Sequence, residues 1–160
     1  MPIYKETQLE NIASVRGGIR VDSAAALVTA AAVTKFTVTG GNVLMLGFYG
    51  KVVVDIAATA CTVIVTHTPI VGAASPSILA ILVGATDIQS FVAGRIAHLP
   101  AAGGVLTWPA TGYGRFDLAP IYVLTPGALS ITGSAAPATG TIRWSMFYVP
   151  LDPGAYVTGS

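Results

Sequence analysis

Read by parity, the segment TGTIRWSMFYVPLDPG sets Ile142, Trp144, Met146 and Tyr148 on one face and Arg143, Ser145, Phe147 and Val149 on the other. A strand with one wet side alternates apolar with polar along its whole length. This one alternates at its start and then carries apolar groups on both sides, so something has to cover the second face. The same period of two recurs upstream. TKFTVT sets Phe36 and Val38 against Thr37 and Thr39, and the GGN that follows supplies the positive φ of a tight hairpin. CTVIVTHTP sets Cys61, Val63, Val65 and His67 against Thr62, Ile64, Thr66 and Thr68, and stops at Pro69.

Further strands are expected at KVVVDI, SILAILV, GGVLTW, APIYVLT and ALSIT, with Gly/Pro turns such as PAAGG, TPGA and SAAPATG between the later ones. Thr and Val abound because β-branched side chains fit a pleated surface. DSAAALVTAAAVT reads as helix on its alanines and equally as an edge segment on its Thr and Val, and DIQSFVAG admits a short helix. No period of 20 to 50 residues repeats. Short strands at turn-marked spacing predict an all-β fold: one antiparallel β-sandwich, jelly-roll-like, with an extended N-terminal arm. The boundaries expected are an arm over 1–20, a body over 21–152 and a tail over 153–160.

Composition narrows the picture. Charged residues make up 9% of the 160 and hydrophobic ones 53%, against roughly 25% charged in ordinary globular domains. Such a chain covers its surface with neutral Thr, Ser and Ala, buries part of it against other chains, or does both. A formal charge of +1 and scattered basic residues give no electrostatic footprint for nucleic acid. Five of the fifteen charges fall in the first 20 residues, which marks that segment as distinct from the body. The start, MPIYKETQLENI, lacks the apolar core of a signal peptide. No apolar run approaches the roughly 18 to 20 residues of a spanning helix. The expectation is a protein made in the cytoplasm, with no membrane partner.

Candidate chemistry is sparse. Cys61, the single cysteine, excludes an intrachain disulfide. Cys61 and His67 share one strand face, but six residues at ~3.3 Å each put them roughly 20 Å apart, beyond hydrogen-bond reach. Cys61 reads as a small core residue, and His67 as a half-exposed strand-end histidine. His98 also ends a segment, and neither histidine has ligand neighbours at metal spacing. Asp55, inside VVVDIAA, points outward or pairs with Lys51 or an Arg. No GxSxG, P-loop or dinucleotide fingerprint is present. Catalytic, metal and cofactor residues are therefore all assigned as none. One aromatic-rich stretch, TWPATGYGRFDLAPIY, offers Trp108, Tyr113 and Tyr122 as the floor of a glycan site, which would make the protein a receptor-binding or adhesin module.

The closing segment GTIRWSMFYVPLDPGAYV, after a small Ala/Gly/Thr-rich β body, resembles small structural proteins of tailed-phage virions, in particular head decoration or cement proteins. The resemblance implies a non-enzymatic role and a virion location. Its partners would be further copies of itself, trimers above all, and the major capsid protein. The contact residues expected on this reading are Ile3, Tyr4 and Leu9 in the arm and Phe147, Val149 and Leu151 at the end. The alternative for the second face of the last strand is cover by the arm of the same chain.

Overall fold

The computed structural model describes residues 18–70, 77–81, 88–98 and 122–160, with the backbone alone for 77–81 and 97–98. Ten strands appear in chain order: β1 (Ile19–Asp22), β2 (Val33–Thr39), β3 (Val43–Val54), β4 (Val63–Pro69), β5 (Ser77–Ile81), β6 (Ile96–His98), β7 (Tyr122–Leu124), β8 (Gly127–Gly133), β9 (Thr141–Pro150) and β10 (Tyr156–Gly159). There is no helix among the described residues. The fold is all-β, built of two antiparallel sheets.

The first sheet runs β1-β9-β3-β6, and the second β10-β2-β8-β4-β5. In the first, β9 occupies one edge of β3 along nearly all of it, from Val43↔Pro150 to Val54↔Thr141. β7 and β6 share the other edge end to end, at Val43–Met45 and at Tyr49–Lys51. The pairing is nested: β4 with β5, β3 with β6 and β7, β2 with β8, β1 with β9.

The core lies between the sheets and is set by the alternation. β9 sends Ile142, Trp144, Met146 and Tyr148 inward, all nearly inaccessible, as their parity predicts. Phe36 of β2 meets Phe48 of β3 edge-on, with centroids 5.8 Å apart, and Phe48 stacks on Trp144 at 5.4 Å. These three rings bridge the sheets, and each brings a large apolar area with it. The Tyr148 hydroxyl accepts a hydrogen bond from Val157 N of β10 at 3.2 Å, a polar tie across the same gap. Cys61 is fully buried, as expected, its Sγ 3.1 Å from the Ala135 carbonyl oxygen.

Four expectations need correction. GGN is not a hairpin: Gly40 and Gly41 do have positive φ (78° and 153°), but the turn carries the chain from β2 in the second sheet to β3 in the first. Residues 153–160 are not a tail, because Tyr156–Gly159 pairs with β2 as an edge strand, Tyr156↔Thr39 to Gly159↔Phe36. Ile19 and Arg20, read as the end of the arm, belong to β1. His67 is buried, 5% exposed, with its Nε2 3.0 Å from the Thr125 carbonyl oxygen. It faces inward like Val63 and Val65, so strand parity outweighs nearness to the turn. The described residues of the two segments that admitted helices hold none: Ala26 bridges to Ile142, and 88–95 is turn and irregular chain.

Candidate functional site

Sandwich sheets expose their outer faces, and here the two differ. On the second sheet the outer positions include Thr37 and Thr39 of β2, Ala128, Ser130 and Thr132 of β8, and Ile64, Thr66 and Thr68 of β4. These positions are uncharged and mostly hydroxyl-bearing, with Thr34 Oγ1 and Ser130 Oγ 3.3 Å apart across the β2–β8 ladder. They present little that binds strongly and little that is costly to desolvate.

The outer face of the first sheet is graded. At one end Val123, Leu44 and Val149 lie in register across β7, β3 and β9. Val123 is 58% exposed, and Leu151 just beyond β9 is 48% exposed. In the middle Phe147 stacks against Tyr49, with centroids 6.0 Å apart at 26°. The Arg20 guanidinium stands 5.9 Å over the Tyr49 ring. Beside them the Asp22 carboxylate takes the Ser145 hydroxyl at 2.5 Å and Arg20 Nε at 2.9 Å. At the far end Lys51 pairs with Arg143 across the β3–β9 ladder.

Of the residues the sequence nominated, Phe147 is covered within its own chain, 6% exposed, Val149 is half-buried and Leu151 is exposed. Ile3, Tyr4 and Leu9 lie outside the described residues, as do Trp108 and Tyr113. Tyr122 pairs with Met45, is partly buried and packs against the core. Asp55 is exposed and accepts a hydrogen bond from Ala93 N at 2.6 Å, a structural task at a turn. Among the described residues no three His, Cys, Asp or Glu side chains gather as metal ligands. Among the described residues no helix is long and apolar enough to cross a membrane.

Leu44, Tyr49 and Val123 belong to this face and were not nominated. Their signal was present: VLMLGFYG, like the last part of β9, is apolar at both parities. Two neighbouring strands with that signature give an apolar outer face, but only the β3–β9 pairing makes them neighbours. No protein family, no curated protein and no solved structure matches this chain.

Proposed function

We propose that this chain is a non-enzymatic structural protein of a tailed-phage virion, a decoration or cement protein that oligomerises and braces the shell. The observation that carries the reading is the strand order. A four-strand set β1-β9-β3-β6 facing β2-β8-β4-β5, with ladders nested around the β4–β5 pair, supports reading the fold as a double-sheet jelly roll, an architecture used in viral capsid and lectin domains. On this reading β10 is an addition at the β2 edge.

The surface chemistry supports the same role. A neutral hydroxyl face and a low count of charges let copies and shell subunits pack with few groups to desolvate. The apolar end of the first sheet, Val123, Val149 and Leu151, is the contact region on this proposal. Burying side chains of this size contributes about 1.5 to 3 kcal/mol each, and symmetry repeats the gain in every copy.

Light scattering after size exclusion, at micromolar protein, tests the assembly. A trimer or larger ring is the expected result, and a clean monomer overturns self-association. Co-sedimentation with empty shells of the major capsid protein tests the partner, and absence of binding there removes the decoration role.

A further inference from the structure

Thr125 and Pro126 carry the chain out of β7 in the first sheet and into β8 in the second. This crossing is held twice by β4 and the residue that follows it. His67 Nε2 lies 3.0 Å from the Thr125 carbonyl oxygen, and Ile70 N donates to the Pro126 carbonyl at 2.9 Å. The fit is tight: a Cβ on Gly127 would stand 2.9 Å from Pro69 Cα and 3.0 Å from His67 Nε2. What the crossing restrains is short. β7 has three residues, paired with β3 from Val43↔Leu124 to Met45↔Tyr122. Leu124 points into the core and Val123 out of it.

The ring at the centre of this tie can take a proton. A carbonyl oxygen only accepts, so Nε2 carries the ring hydrogen and a second proton adds at Nδ1. Among the described residues Nδ1 makes no hydrogen bond. Nothing packed around the ring offers a counter-charge. β8 sets Leu129 opposite it, with Ala128 and Gly127 following, β5 sets Ser77 in register, and the crossing brings Thr125 and Pro126. The titratable side chains at this end of the sandwich are Asp152, held by the Asn42 amide, and the phenols of Tyr122, Tyr148 and Tyr156. Burial lowers the pKa of the ring, the Thr125 carbonyl opposes this in part, and no neighbouring charge contributes.

A proton on His67 therefore sets a charge where little water reaches it. Release of the crossing restores that water and breaks little else, because the β2–β8 and β3–β9 ladders do not pass through it. Proteins open in such local units well short of global unfolding. We propose that His67 is a proton-operated latch: neutral, it holds the β7–β8 crossing on β4, and protonated, it lets Tyr122–Gly127 lift away while the rest of the sandwich stays folded. The open form binds the extra proton more readily than the closed one. Its population thus rises as pH falls below 6.5, by at most about tenfold per pH unit. The latch does not depend on the virion reading. Its consequence for assembly does, since Val123 belongs to the contact region proposed above and leaves it when β7 lifts, so that acid separates the copies.

Native-state hydrogen exchange of the full chain tests it, read by NMR from pH 7.5 to 5 and corrected for the intrinsic pH dependence of exchange. The reporters are the Ile70 amide, bonded to Pro126, and the β7 amides; the β2 and β8 amides are the reference. In wild type the protection of the reporters should fall below pH 6.5, by up to about tenfold per pH unit, and that of the reference should fall less. His67→Gln keeps a neutral donor for the Thr125 carbonyl, and in it the extra fall should vanish. A uniform fall across all amides would mean that only unfolding of the whole chain frees the ring, and would overturn the latch. An equal fall in the variant, or none in wild type, would do the same. If the variant fails to fold, the wild-type contrast between reporters and reference decides. This readout needs no oligomer, so failure of the latch and failure of the virion reading are separate results.

Discussion

The Asp152 carboxylate accepts a hydrogen bond from the backbone N–H of Asn42 at 2.7 Å, joining residues 110 apart in sequence. Leu151 N returns a bond to the Asn42 carbonyl at 3.0 Å. Two sheet crossings, β2 to β3 and β9 to β10, are thereby clamped together. The fit is close: a Cβ on Gly41 would stand 2.6 Å from Asp152 Cβ. Asp152→Ala leaves the Asn42 amide without its charged acceptor and is expected to cost about 2 kcal/mol. Asp152→Asn keeps an acceptor and should cost less. Urea unfolding of the two variants beside wild type checks the order.

Gly50 and Gly47 lie on the same strand and should respond oppositely to alanine. At Gly50 an added Cβ would meet the Trp144 ring at 2.6 Å, inside a packed core. Gly50→Ala should destabilise by about 1 to 3 kcal/mol through overpacking. At Gly47 the nearest contact is Phe147 at 3.7 Å, an ordinary distance. Gly47→Ala should change stability by less than about 0.5 kcal/mol, in the range of unstrained substitutions. Thermal melts of the pair separate the two cases.

His67 predicts a pH dependence. Burial pushes its pKa below the ordinary value of 6.5, and the hydrogen bond to the Thr125 carbonyl opposes this only in part. Between the depressed folded value and 6.5 the unfolded chain binds more protons than the folded one, so stability rises with pH in that window. His67 therefore costs nothing above about pH 7.5, and its penalty grows as pH falls through 6.5 toward the folded value. The stability difference between wild type and His67→Gln, followed by urea unfolding from pH 7.5 to 5, should shift in favour of the variant on the acid side. A difference independent of pH would show that His67 does not titrate in this range.

Lys35 sits at the β2 bulge between Thr34 and Phe36, 6% exposed, and loss of water lowers its pKa from 10.5. Above the folded value and below 10.5 the unfolded chain again binds more protons, so wild-type stability should climb as pH is raised toward 10.5. Lys35→Met removes the buried ammonium and keeps the stem, and is expected to be more stable than wild type at pH 7. Its lead should shrink at pH 10, as read by guanidinium unfolding.

Leu151 tests the contact region without touching the core. Its side chain is 48% exposed at the end of the first sheet. Leu151→Asp should leave the melting midpoint nearly unchanged and lower the mass seen by light scattering at micromolar concentration.

Much of the class of this protein was legible one strand at a time. Parity set Phe36 with Val38, Val63 with Val65, and Ile142 with Trp144, Met146 and Tyr148 on common faces, and the structure has each of them inside. Alternation with period two is a local property and survives whatever the strand later pairs with. His67 was readable by the same rule, had its parity been followed in place of its nearness to Pro69.

Sequence alone thus determined the β class, the inward residues and the anomaly of strands apolar on both sides. Only the tertiary structure decided that GGN crosses between sheets, because the same positive φ serves a hairpin or a crossing. It alone made an edge strand of Tyr156–Gly159, whose few residues gain their order from the β2 ladder. It alone set β3 beside β9, which brings Tyr49 against Phe147 and Leu44 against Val149. Which strand lies next to which depends on contacts between residues about a hundred positions apart, and a period read over ten residues holds no record of them.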